Sequence, residues 1–384
     1  MYHKTILWLY SSRLYPPEKG GTERITCLTQ SGLSARGYHC MDTLVVKAST
    51  GEVSYMDERV TDIYGFLKDN KVDVVINQNC IGHTELDIFL EGGGRLWHDE
   101  GGKIVSCLHY APVFPHSTAR SLWIQPNKSI KDWLRIPKYW LTESKRKKRY
   151  FYCYANTFNH LYDVSDYMTV LSASFVPEME QVMGHSRLNR IHVINNPLTF
   201  AEISSPEILK HKKHEMLVVA RFEDWHKRVS LVLEAWRKIS GRLPDWNLTI
   251  VGDGPCREQY EHYISRHRLQ RVSLEGRQMP ELYYSRASIF LMTSSFEGWG
   301  QTLTEAQERG CVPVVMNSSS AFHDIIQNGE NGILTPNNHM GEFCKVLLRL
   351  ANDNANRNRL ALAGLKSVER FTFDKVMEQW EEIL

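Results

Sequence analysis

The sequence predicts an α/β protein built from two doubly wound parallel-sheet domains, and three observations predict it. The chain has 384 residues and 42% hydrophobic content, enough for two ordinary cores but too much for one. Short apolar runs alternate with helix-length segments, the pattern of parallel strands joined by crossover helices. That pattern runs twice, before and after a polar stretch rich in turn residues near 198–213.

The first unit opens with "TILWLY" at 5–10, a buried strand, followed by "PPEKGGTER" and a helix over about 22–35 that Gly37 stops. Gly20 and Gly21 then stand at a helix N-terminus. They either serve an anion there or merely make the turn. Further strands are read at "HCMDTLVV", "VDVVIN" (72–77), "KIVSCL" (103–108), "YMTVLS" (167–172) and "IHVINNPL". His109 ends the 103–108 strand. Ligands collect at the carboxyl ends of parallel strands, so His109 is positioned to touch one, with a structural role as the alternative.

The second unit reads as strand "EMLVVARF", helix "SLVLEAWRKI", strand "WNLTIVG", turn "DGP", helix "REQYEHYISRH", then strands "VSLEG", "ASIFLMTS" and "VPVVM". Two such units predict a cleft between them. The final segment, "FTFDKVMEQWEEIL", repeats Phe373, Met377, Trp380 and Leu384 at helical spacing, a stripe that needs a packing partner.

A formal charge of +2 gives no global bias toward nucleic acid. Eight scattered cysteines with no C-x-x-C pair fit a reducing cytoplasm, and no apolar run reaches the length of a spanning helix. The exception is local. Residues 120–149 carry ten basic side chains against Asp132 and Glu143, a net +8, interleaved with Trp123, Trp133, Tyr139 and Trp140. This composition suits an anionic membrane surface; a solvated helix with inward-packed aromatics is the alternative, and a basic-aromatic groove for nucleic acid a third.

The chemistry concentrates in "FEGWGQTLTEAQERGCVP" at 296–313. Glu297 and Glu305 flank seven residues across a loop-to-helix join. Gly298 and Gly300 admit a ligand to the backbone, and the helix N-terminus favours an anion. Arg221 closes the first strand of this unit and Lys227 follows before the next helix, so both can reach the strand-end crevice and would hold a diphosphate there, with a solvated loop as the alternative. A hydrolase-like acid and nucleophile pair is excluded, since eight helical residues advance about 12 Å where such a pair stands about 5 Å apart.

Residues 216–336 resemble the C-terminal domain of a family 4 glycosyltransferase of the GT-B fold. The strings that carry the likeness are "VVARFEDWHKRVSLVLEAW", "LTIVGDGP", "VSLEGRQ", "ASIFLMTSSFEGWGQTLTEAQERGCVPVV" and "IIQNGENGILTP". The first half resembles the family through "GGTER", the His109 strand end and "VINNPL". The resemblance implies two Rossmann-like domains facing a central cleft: an acceptor-side domain over 1–198, a nucleotide-sugar domain over 199–365, and a helix over 366–384 packing back on the first. It implies a retaining, metal-independent transferase of a hexose-type sugar from a nucleotide-diphosphate sugar, UDP- or GDP-linked. The acceptor would be a saccharide or lipid-linked saccharide in surface polysaccharide or glycolipid assembly, reached from the cytoplasmic side of the membrane.

By position, the resemblance assigns Arg221 and Lys227 to the diphosphate, Glu305 to the ribose and Glu297 to the transferred sugar. It assigns the backbone of Gly298, Trp299 and Gly300 to the sugar pocket, Arg277 and Gln278 to the base, His109 to the donor sugar, and Gly20 and Gly21 to the phosphates or the acceptor. Two residues depart from the family pattern. Arg228 stands where glycine is usual, and Trp299 replaces the commoner phenylalanine, with an indole to restrict or stack on the sugar. The alternatives are an epimerase or sugar-phosphate synthase of the same fold, or a non-catalytic nucleotide-sugar-binding module.

Overall fold

The computed structural model describes residues 4–14, 21–113, 130–186, 188–200 and 202–384, and Gly20 and Trp123 lie outside them. The chain divides into two compact units. The first comprises Met1–Val113, Arg149–Pro197 and Phe371–Leu384, and the second Phe114–Lys148 and Leu198–Arg370. The second unit therefore includes residues 130–148, the described part of the basic stretch apart from Arg149, which the sequence pattern leaves inside the first domain.

In the first unit the strands are β1 (Thr5–Tyr10), β2 (His39–Lys47), β3 (Glu52–Tyr55), β4 (Glu58–Arg59), β5 (Val74–Asn77), β6 (Lys103–Leu108), β7 (Tyr167–Val170) and β8 (Ile191–Val193). Helices α1 (Gly21–Ala35), α2 (Ile63–Asp69), α3 (Thr84–Phe89), α4 (Arg95–Asp99), the part of α5 (Ile130–Val164) from Arg149 on, and α6 (Phe175–Met183) punctuate them. The sheet order is β4-β3-β2-β1-β5-β6-β7-β8. All pairings are parallel except β2 with β3 and β3 with β4. The β3–β4 hairpin escapes the sequence reading because its strands are short, polar and at the sheet edge, where burial imposes no alternation.

In the second unit β9 (Lys213–Val219), α7 (Val229–Ile239), β10 (Asn247–Val251), α8 (Arg257–Arg266), β11 (Val272–Gly276), α9 (Glu281–Arg286), β12 (Ala287–Met292), α10 (Gln301–Glu308), β13 (Val312–Asn317), α11 (Phe322–Ile325) and β14 (Ile333–Pro336) alternate. Helices α12 (Met340–Asn352) and α13 (Asn354–Ser367) complete the unit. Its sheet, β11-β10-β9-β12-β13-β14, is parallel throughout. Strands buried on both faces read as continuous apolar runs, which is why "ASIFLM" and "VPVVM" are legible. The core gathers Met216, Leu248, Ile250, Ile289, Leu291 and Val314 from the sheet with Trp236, Phe343 and Leu347 from the helices.

Helix α14 (Phe373–Glu381) belongs to the first unit. Its predicted stripe buries Met377, Trp380 and Leu384 with Val376 and Ile383 in the core of Ile6, Trp8, Val74 and Val105. Trp380 meets Trp8 edge to face at 6.5 Å. Asp374 pairs at 2.7 Å with Arg36, the residue after α1.

The turn after β10 fixes the loop after β9. Ala220 N donates to Val251 O at 3.0 Å and Phe222 N to Asp253 O at 2.9 Å. Gly252 permits this contact: its φ is +138°, and a Cβ there would lie 1.8 Å from the Ala220 carbonyl oxygen. Replacing Gly252 by Ala should therefore destabilise the protein by about 2 kcal/mol or more, through overpacking and backbone strain together. Urea denaturation checks this, and an unchanged midpoint would show that the two loops are not locked.

Candidate functional site

In the order β10-β9-β12-β13, chain direction across the sheet reverses between β9 and β12. Loops leaving two such neighbouring strands diverge to opposite faces and open a crevice at their carboxyl ends. The loop after β9 carries Arg221 and Lys227, and the loop after β12 carries Glu297, so two separate sequence signals meet at one place.

Lys227 Nζ donates to Glu297 Oε1 at 2.6 Å, with only 19% and 11% of the two side chains exposed. Burial pushes the Glu297 carboxyl up. The Lys227 cation and a hydrogen bond from Ser294 outweigh that and hold it below the ordinary carboxylate range, so it is charged. His226 lies beside the pair and is its opposite: burial first, then Lys227, lower its pKa to about 4. The neutral ring donates from Nε2 to Phe296 O at 3.0 Å and stacks on Phe296 with centroids 4.1 Å apart. A charged imidazole here would be repelled by Lys227 and Arg221.

The two loops are bonded along their length. Ser295 N donates to His226 O at 2.6 Å, and Thr293 Oγ1 donates to Arg228 O at 2.9 Å. Ser319, after β13, donates from Oγ to Glu297 O at 2.9 Å. Asp224 accepts from Ser230 N at 2.9 Å and from Tyr260 hydroxyl at 2.9 Å, which secures the first turn of α7.

Arg228 explains its departure from the family pattern. Its φ is +50° and ψ +41°, the left-handed conformation that glycine adopts freely and that costs an L-residue about 1–2 kcal/mol. In return its side chain, 2% exposed, spans the crevice floor. It donates to Thr293 O (2.5 Å), Ser294 O (2.6 Å), Asn338 Oδ1 (2.6 Å) and Asn337 Oδ1 (2.9 Å). Hydrogen bonds from a charged group contribute about 1.5–3 kcal/mol each, enough to offset the strained backbone. Burial lowers the guanidinium to about 10, still charged at neutral pH. Sequence reading marks Arg228 as an irregularity of the phosphate loop but misses this fastening role, whose only signal is the Asn337-Asn338 pair more than a hundred residues away.

Not every expected residue is displayed in the same way. Arg221 is 62% exposed and lies 3.6 Å from Glu223, free to swing toward a ligand. Arg277 and Gln278 are exposed in the loop after β11. Gly300 caps α10 at φ +92° and has no side chain to accept from the first-turn N–H groups. Trp299 corrects the expectation of a stacking indole: it is 2% exposed and part of the core. Trp225, 66% exposed and 5.7 Å from Phe296, is the aromatic surface at this place instead.

Glu305 is 1% exposed and already engaged, with Oε1 accepting from Thr199 Oγ1 and Oε2 from Tyr284 hydroxyl, both at 2.9 Å. One turn on, Glu308 accepts from the backbone N–H of Thr199 (3.2 Å) and Phe200 (3.1 Å), and burial raises it to about 7. Helix α10 thus grips Thr199 and Phe200, a pairing with no periodic signature in sequence.

In the first unit His109 is half-buried at the end of β6, and burial lowers its pKa to about 4. Its Nε2 bonds the side-chain oxygen of Gln78, which follows β5. Gly21 opens α1, and a Cβ at this position would meet no atom within 4 Å.

Comparison with known proteins adds a family likeness and a fold. Residues 200–367 match the family described as glycosyl transferases group 1. An uncharacterized glycosyltransferase of Haemophilus influenzae is 26% identical over 200 residues, 52% of this chain and 56% of that protein. The lipopolysaccharide 1,6-galactosyltransferase of Salmonella typhimurium is 26% identical over 215 residues, 54% of this chain and 58% of that one. The matches thus span little more than half of these relatives. The Anabaena protein HepE, solved in complex with UDP and glucose, superposes with a TM-score of 0.69 over 99% of both chains at 16% identity. The likeness to the glycosyl transferases group 1 family covers residues 200–367, and the two parallel-sheet units of the chain have the GT-B fold.

Proposed function

We propose that the protein transfers a sugar, with retention of anomeric configuration, from a UDP-sugar to a saccharide or lipid-linked saccharide acceptor. The observation that carries the reading is the buried Lys227–Glu297 pair at the β9/β12 strand ends of a group 1 domain. The UDP and glucose bound to HepE, a protein of the same fold, favour a uridine donor.

In this reading the diphosphate draws Lys227 away from Glu297, with Arg221 swinging in as the second cation. Glu297, released, accepts hydrogen bonds from the hydroxyls of the sugar, and the backbone around Gly298 to Gly300 lines its pocket. Glu305 takes the ribose once the Thr199 hydroxyl yields Oε1, while Arg277 and Gln278 border the base. His109, neutral, is the first unit's contact for a sugar. The bond between the anomeric carbon and the phosphate oxygen breaks, and its electron pair leaves with the diphosphate. The acceptor oxygen bonds the same carbon from the same face, and its proton passes to a phosphate oxygen. Lys227, Arg221 and the α10 N-terminus meet the developing charge, so the chemistry draws on these groups rather than on a bound metal.

Helix α5 supports a membrane-presented acceptor. Its first half exposes Ile130 (81%), Leu134 (73%), Trp140 (71%) and Leu141 (73%) among its lysines and arginines, so the alternative of inward-packed aromatics fails for Trp140. Among the described residues no helix is long and apolar enough to cross a membrane. We assign this face to an anionic lipid surface, each cation contributing about 1 kcal/mol.

Glu297→Ala should lower donor turnover by about 10²-fold or more, read as UDP release from UDP-sugars, while near-ultraviolet circular dichroism stays native. Normal turnover would remove Glu297 from the mechanism. In flotation assays the wild-type protein should rise with phosphatidylglycerol vesicles and not with phosphatidylcholine, and added salt should weaken it. Failure to float with the anionic vesicles contradicts the membrane assignment.

A further inference from the structure

Three side chains outside the donor site converge in the first unit: His83, Asp87 and His160. His83 precedes α3 and Asp87 lies one turn on, so both fall on one edge of the helix. Glu85, Leu86 and Phe89 turn inward and leave that edge outward, with 42% of the His83 side chain and 30% of Asp87 exposed. His160 arrives from α5, which Phe158 and Leu161 anchor in the core on either side of it. Asp87 Oδ2 is 2.5 Å from His83 Nδ1, and Oδ1 is 2.6 Å from His160 Nε2. The imidazole centroids are 4.7 Å apart, and all three donor atoms lie within 4.8 Å of one another.

We propose that His83, Asp87 and His160 bind a divalent transition metal, for which zinc is the best match. Two imidazoles and a carboxylate are ligands zinc takes, and three protein ligands with a water at the fourth position are a familiar zinc arrangement. The partial exposure of all three side chains leaves room for that water. Bonds of about 2.0–2.1 Å in tetrahedral geometry separate ligand atoms by about 3.3 Å. The present 2.5 and 2.6 Å contacts therefore have to open by less than about 1 Å, which side chains at a surface can do by small rotations. Each oxygen of the Asp87 carboxylate faces one imidazole nitrogen, and the two rings converge with those nitrogens aimed at the one carboxylate, a preset half-shell for a cation. A bound ion would clamp α3 to the C-terminal part of α5, independently of the transfer reaction.

The test uses untagged full-length protein and zinc itself, in competition with a chromophoric chelator. Wild type should bind one equivalent, and Asp87→Asn and His160→Gln should each bind about tenfold more weakly or worse. Cobalt should give the intense visible bands of a four-coordinate ion in wild type alone. Should a variant fail to fold, anomalous scattering at the zinc edge from zinc-soaked wild-type crystals must place a peak between the three side chains. The absence of one-equivalent binding by wild type, unchanged affinity in folded variants, or a peak elsewhere would overturn the proposal.

Discussion

A carboxylate closed off from water needs a permanent positive neighbour, and at the β9/β12 strand ends Lys227 is that neighbour for Glu297. Removing one partner of such a buried pair costs about 3–5 kcal/mol, because the other is left charged and uncompensated. The surrounding structure follows from this constraint. His226 is kept neutral and stacked on Phe296, Ser319 holds the Glu297 carbonyl, and Arg228 ties the floor of both loops. A ligand that supplies an anion for Lys227 and hydroxyls for Glu297 satisfies both charges at once. Few ligands other than a diphosphate carrying a sugar offer that combination.

The same constraint accounts for the irregularities of the second unit. Arg228 occupies a left-handed position where glycine would be easiest, and the energetic reason is the span of its guanidinium across strand ends β12 and β14. Gly252 is small because the loop bearing Arg221 must pack directly on the β10 turn. Glu305 and Glu308 lie on one face of α10 and hold the chain segment that enters the unit at Thr199 and Phe200. Under the proposed function, ribose binding at Glu305 would require Thr199 to move, which would couple the nucleotide to that segment.

Much of the fold is legible because strands buried on both faces leave unbroken apolar runs and their connecting helices leave amphipathic ones. "KIVSCL" and "VSLEG" become β6 and β11 residue for residue. The β3–β4 edge hairpin and β14 are not legible as strands, since short or one-sided burial imposes little pattern. At the site, Glu297 and Lys227 are each readable from local spacing, yet their ion pair joins positions 70 residues apart. Arg228 with Asn337 and Asn338, Thr199 with Glu305, and Asp87 with His160 are likewise products of topology alone. Trp299 shows the reverse failure, because a loop tryptophan reads as a ligand surface until packing shows it in the core.

The account rests on Lys227 exchanging its carboxylate partner for a phosphate. Isothermal titration of UDP into wild type and Lys227→Ala measures that exchange directly. Loss of a charge-assisted contact to the diphosphate should weaken UDP binding by about tenfold or more. Equal affinity in the two proteins would place the nucleotide elsewhere and contradict the account.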